Sequence, residues 1–248
     1  MNAKISAALA TTAILMTPAC AQEKVDISDK AAVEKIVKDY ILENPEIIEE
    51  ALIKLTEKQQ LAETEATAEL IRANFAALHN DENDFFIGPA DAPVTLVEFF
   101  DYRCGYCKRT AEWVSELPEK YDNQVRVVFK ELPILSTESE QAALAAMAAK
   151  KQGKYLELHL ALMALDNKTG FDPDTINATA AGVGIDVELM RSDMKSISVQ
   201  TAVANSKSLA RTLGITGTPN FIVGDKQVPG ANMPMVEQMI ADELAKLS

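Results

Sequence analysis

The amino-acid sequence predicts an α/β domain built on a parallel βαβ unit, interrupted by an all-helical segment and preceded by an α-helical region. Three observations carry that reading. Residues 94–100, VTLVEFF, are an apolar run of strand length rich in β-branched and aromatic side chains, the pattern of a buried strand. An amphipathic stretch through Trp113, Val114 and Leu117 follows before Pro118, as a helix would. Strand patterns recur at 125–129 and then only at 220–223 and 226–228, with helical spacing over 137–213 between them.

Taken in order, the chain opens with Lys4, a short apolar run over 5–16, and Ala19-Cys20-Ala21 before Gln22. These are the three parts of a cleavable export signal, residues 1–21. The apolar run is too short to span a bilayer. Cys20 is also where a lipoprotein would be acylated, but Thr17 stands where such signals carry Leu. Export in soluble form, to the periplasm, is therefore expected.

Residues 22–83 read as a helical region. Val33, Ile36, Val37, Tyr40 and Ile41 share one apolar face, and Asn44-Pro45 breaks that helix. Pro45 suits the start of the next helix, with Glu46, Glu49 and Glu50 at its dipole-positive end. From Ile48 a heptad-like seam runs through Leu52 and Leu55 and degrades to Gln59, Ala62 and Ala66. Such a stripe must be buried against something, either its own domain or a second copy.

The polar segment 79–84 closes this region, and residues 84–248 form the α/β domain. Phe85-Phe86-Ile87 reads as a short strand, and Gly88-Pro89 and Asp91-Ala92-Pro93 as turns before the central one. Helical pieces follow at 138–151, 154–165, after Asp172-Pro173, near 186–195, and up to Leu213. Gly224-Asp225 turns a hairpin, and a last helix carries Met235, Val236, Met239, Ile240 and Leu244. That order is a thioredoxin fold with an all-helical insertion between its halves.

Chemistry concentrates at Cys104-Gly105-Tyr106-Cys107. Positions one helical turn apart are neighbours, so the two sulfurs can close a disulfide. Cys104 would sit at the helix N-terminus, where unpaired N–H groups and the dipole favour a thiolate, and Cys107 would be its resolving partner. The positive charges of Arg103, Lys108 and Arg109 read as residues of a solvated helix face. A zinc site needs four ligands, and beyond this pair the chain holds only Cys20, His79 and His159, widely separated. Once the signal is removed, both remaining cysteines lie in one motif, in a compartment that permits disulfides. The formal charge of -13 argues against nucleic-acid and anionic-membrane partners.

VEFFDYRCGYC and GITGTPNFIVG, in this order and separated by a helical insertion, resemble the two diagnostic segments of the DsbA-like thiol–disulfide oxidoreductases. IVKDYILENPEIIEEALIKL is similar to the N-terminal region of the ScsC (suppressor of copper sensitivity) branch. The resemblance implies a cis bond at Thr218-Pro219, facing the cysteines, and a substrate peptide paired to the backbone before it. It also implies that Glu98, an acid on a strand buried on both faces, sits beneath the disulfide and moves protons to and from Cys107. A buried pair of Glu98 with Lys130 is the other reading of that residue. No cofactor is implied.

Where the best-known members carry Pro-His between the cysteines, this chain has Gly-Tyr. Losing that histidine suits an isomerase or reductase over a net oxidase. The partners implied are exported clients with cysteines, a membrane thiol–disulfide redox partner, and further copies of the chain, as a trimer. Met190, Met194, Met233, Met235 and Met239 leave Cu(I) handling as an alternative of another class, and a peptide-binding chaperone as a third.

Overall fold

Asp29 opens the first helix as its N-cap, its carboxylate accepting from the Ala31 N–H at 3.0 Å. The computed structural model describes residues 29–168 and 170–247, so the export signal expected at 1–21 lies outside the described residues. Helix α1 is Lys30–Glu43, and Asn44-Pro45 separates it from α2, Glu46–Ala73. A short α3, Phe75–His79, follows after Asn74. The chain divides into two compact units, one ending at Glu57 and one beginning at Lys58.

Among the described residues of the first unit, most of the apolar stripe is exposed. No residue of α1 is buried. Ile36, Val37, Tyr40 and Leu42 of α1, and Ile48, Leu52, Ile53 and Leu55 of α2, are all exposed. Burying such a side chain is worth about 1.5–3 kcal/mol, so the stripe is a large unsatisfied apolar face.

The second unit holds a five-stranded sheet in the order β1-β3-β2-β4-β5. Its strands are β1 (Phe85–Ile87), β2 (Val94–Phe100), β3 (Val125–Glu131), β4 (Asn220–Val223) and β5 (Lys226–Pro229). β2 and β3 run parallel across α4 (Gly105–Lys120), while β1 and β4 pair antiparallel to β3 and β2. The insertion comprises α5 (Thr137–Lys150), α6 (Tyr155–Ala164), α7 (Pro173–Gly182), α8 (Val187–Asp193) and α9 (Ile197–Thr212). α10 (Met233–Ala245) ends the unit. α4 continues through Pro118 instead of stopping before it, forgoing the bond that residue's N–H would give to Val114, and its last turn closes with Tyr121 N to Leu117 O at 3.1 Å.

Alternation along β2 divides the core in two. Leu96 and Phe100 pack with Val127 and Phe129 of β3, with Val114 of α4 and with the alanines of α5. Those small side chains let α5 lie close, and residues 142–149 are all buried. Val97 and Phe99 point to the other face, toward Val128, Leu132, Leu209 and Ile222. Ile71 of α2 and Leu78 of α3 complete that second cluster. The boundary expected near residue 83 therefore falls inside the second compact unit. Helical periodicity marks an apolar stripe without telling which of its residues meet a core. Met190, Met194 and Met239 are also core residues.

Candidate active site

β2 delivers the chain to the site, and a turn at Asp101–Cys104 starts the helix. Cys104 N donates to Asp101 O at 3.0 Å, and Cys104 is the N-cap of α4, with extended backbone angles. The Asp101 carboxylate is buried and fully used. Oδ1 accepts from Arg103 N at 2.8 Å and Ser139 Oγ at 2.7 Å, and Oδ2 from Ile134 N at 2.9 Å and Leu135 N at 3.0 Å. An Asp opening a turn before a helix is a legible signal for such a role, although sequence reasoning did not single it out.

The two sulfurs sit in unlike surroundings. Both are free thiols; Cys104 is 7% exposed and Cys107 fully buried. Cys104 Sγ donates to Thr218 O at 3.1 Å. As a thiolate it is stabilised first by a hydrogen bond from Cys107, then by the Thr218 side chain and the N–H groups of Cys107 and Tyr106. These outweigh burial and bring its pKa down to about 5. Burial drives the Cys107 thiol strongly upward, and its hydrogen bond to Cys104 and the nearby Glu98 push the same way.

Glu98 is 1% exposed, and its Oε2 has no hydrogen-bond partner. Burial first, and then the charge of Cys104, raise its pKa to about 8. The expected alternative pair with Lys130 does not form. Register sets Glu98 opposite Phe129 and Lys130 opposite Phe99, so the two side chains leave opposite faces of the sheet. Lys130 instead donates to Ala77 O at 2.6 Å and pairs with Asp84. The Thr218-Pro219 bond is cis, and Pro219 O accepts from Gly230 N at 2.8 Å.

Cys104, Cys107, Glu98 and Thr218 are thus brought together from β2, α4 and the segment before β4. Two flanking cations differ from expectation. Lys108 does not lie on a solvated face: its ammonium donates to carbonyls after burial of its stem, and desolvation lowers its pKa to about 8. Arg103 bonds Ser136 Oγ at 2.9 Å and pairs with Glu138. Arg109 stacks over the Tyr106 ring at 4.2 Å. Among the described residues no group of three or more His, Cys, Asp or Glu is arranged to hold a metal ion.

The family model for the DSBA-like thioredoxin domain matches residues 95–241, more than half of the chain. The chain belongs to the DsbA-like thioredoxin family. A second model, the copper resistance protein ScsC N-terminal domain, matches residues 29–62. This DsbA-like chain is 37% identical to a thioredoxin-like oxidoreductase from Silicibacter pomeroyi, which covers 70% of it and is itself 98% covered, with a TM-score of 0.64. A Proteus mirabilis ScsC variant with a linker deletion is 30% identical over 91% of this chain and 99% of its own, with a TM-score of 0.66. The Na(+)/H(+) antiporter NhaA 3 of Salinispora tropica is 30% identical over 151 residues, 60% of this chain but 23% of its own length. The chain therefore spans less than a quarter of that curated relative, and no helix among its described residues is long and apolar enough to cross a membrane.

Proposed function

We propose that this chain is an exported protein disulfide isomerase or reductase that acts on misfolded exported proteins. Thiol–disulfide exchange is carried by one arrangement, two sulfurs one helical turn apart with Cys104 capping a helix N-terminus and Cys107 buried near Glu98, and the choice of isomerase rests on the exposed stripe of α1 and α2. The Cys104 thiolate attacks one sulfur of a client disulfide. That S–S bond breaks, a mixed disulfide forms, and the second client sulfur leaves as a thiolate. In isomerisation a client thiolate attacks the mixed disulfide and Cys104 returns unchanged. In reduction Glu98, in its carboxylate form, takes the Cys107 proton and Cys107 attacks the Cys104 sulfur; the Cys104–client bond breaks, the client sulfur leaves as a thiolate, the client gains two electrons and the protein keeps the disulfide. A membrane thiol–disulfide partner then restores the dithiol. The Thr218 backbone, beside the sulfur, and Pro219 offer the edge on which a client strand pairs.

The exposed stripe of α1 and α2 supports assembly as a homo-oligomer, a trimer, which presents several dithiols to one client. Net dithiol oxidation is the second reading. A Cys104 pKa of about 5 favours it, because stabilising the reduced form raises oxidising power. Refolding of a scrambled-disulfide protein separates the two, together with the redox state of the pair in cells. An isomerase restores activity and rests as dithiol; an oxidase rests as disulfide. Cys104→Ser abolishes turnover in either case, and normal turnover by that variant would refute the site.

A further inference from the structure

One helix of the insertion reaches the active-site turn at three points. The first lies ahead of the motif. Tyr102 donates to Glu131 Oε1 at 3.1 Å, and its hydroxyl lies 3.2 Å from Nδ1 of His159 on α6. Glu131 Oε1 also takes the hydroxyl of Tyr155, the first residue of α6, at 2.8 Å. A single hydroxyl hydrogen serves both neighbours of Tyr102 when it points to Glu131 and His159 donates through Nδ1. That tautomer leaves His159 Nε2 as an acceptor, and Nε2 is the atom without a partner. All four side chains are buried, and the His159 ring is packed edge-on against Phe100 and stacked on Tyr155.

The second tie is to the residue before Cys104: Arg103 O accepts from Asn167 Nδ2, in the loop after α6, at 2.7 Å. The third lies beyond the motif. Lys108 Nζ donates to Leu165 O at 2.6 Å, Met163 O at 3.2 Å and Leu162 O at 3.4 Å, the last carbonyls of α6 and its loop. These three contacts bracket Cys104 on both sides in sequence and all come from the same short stretch. Asp101, by contrast, ties the turn to residues 134–139.

A thiolate at a helix N-terminus owes its stability to N–H groups whose effect depends on distance and angle. We propose that α6 is a positioning element for the dithiol: through Tyr102, the Arg103 carbonyl and Lys108 it sets where the Cys104 sulfur stands against the first turn of α4 and Thr218. The proposal rests on Cys104 being the attacking thiolate. Tyr102, Asn167 and Lys108 are positioning residues and touch no substrate atom.

Tyr102→Phe and Asn167→Ala test it in the full-length reduced protein, since both exchange one uncharged side chain for another and leave the local charge unaltered. Thiolate absorbance near 240 nm across pH and the equilibrium with glutathione are read beside the melting temperature. Each variant is expected to raise the Cys104 pKa by about half a unit or more, roughly threefold in the thiolate equilibrium, and to shift the glutathione equilibrium in step. Wild-type pKa and equilibrium in both variants, with only a lower melting temperature, would overturn the proposal. If Tyr102→Phe does not fold, Asn167→Ala decides by the same two readouts. A wild-type Cys104 pKa like that of a free thiol would defeat the attacking-thiolate reading and this proposal together. Unchanged variants against a lowered wild-type value defeat this proposal alone.

Discussion

The Cys104 sulfur donates to the Thr218 carbonyl at 3.1 Å, joining residues 114 positions apart in sequence. The donor exists only in the thiol form. Once Cys104 ionises, that carbonyl loses its partner while the Thr218 side chain and the helix N–H groups gain one. A client strand reaching Thr218 therefore meets a free backbone acceptor when the nucleophile is ready.

Alkylation should follow from this. Iodoacetamide modification of the reduced protein is expected to rise with a midpoint near pH 5, at Cys104 and not at Cys107. Peptide mass mapping across pH reads both sites. Modification of Cys107 at a comparable rate would contradict the asymmetry.

Glu98 should tilt stability in the opposite direction from an ordinary carboxylate. Its folded pKa of about 8 stands above the reference of 4.5, so between those values the native state binds the proton and the unfolded state has released it. Stability from this group is complete below 4.5 and is lost as pH rises toward 8. Relative to wild type, Glu98→Gln is expected to gain stability progressively over that window in urea titrations. A difference independent of pH would mean that Glu98 is not held protonated.

Lys130 and Asp84 form a buried pair on the far side of the sheet from Glu98. Lys130→Met strands the acid and should cost about 3–5 kcal/mol, and adding Asp84→Asn should recover part of it. Insulin reduction per folded molecule should stay at the wild-type level. A large fall in that rate would place Lys130 in the proton chemistry after all.

Truncation tests the two units. Leu78 is fully buried with Val97 and Phe99, so Leu78→Ala should cost about 2–5 kcal/mol. Removing residues up to Glu57 is expected to spare that core and leave a monomer that reduces insulin but no longer isomerises. Light scattering of the full-length protein as a monomer at micromolar concentration would sink the assembly reading.

Much of the fold was legible because the strands are short, apolar and bounded by Gly and Pro. The placement of the dithiol and of Glu98 was legible for chemical reasons: two cysteines at helical spacing, and an acid where a strand should be apolar. The partner of Lys130 was not, since pairing depends on which face each side chain leaves, and register is set by strands distant in sequence. Nor was the split of α2, whose Ile71 and Leu55 are alike as sequence yet buried and exposed as structure. Lys108 was misjudged because its carbonyl partners come from a helix that sequence separates from it by more than one element.

The alternation of β3 makes the sheet an electrical partition. Phe129 and Lys130 are adjacent in the chain, yet one lines the chamber of the sulfurs and the other serves Asp84 behind it. Glu98 and Asp84 thus lie on opposite faces of the sheet from one another, and only Asp84 is paired with the buried lysine. Had the strand slipped by a single residue, the ammonium would enter the sulfur chamber, hold Glu98 as a carboxylate, and leave Cys107 with a base already saturated by a cation. The wiring that keeps the lysine out leaves Glu98 able to trade its proton with sulfur.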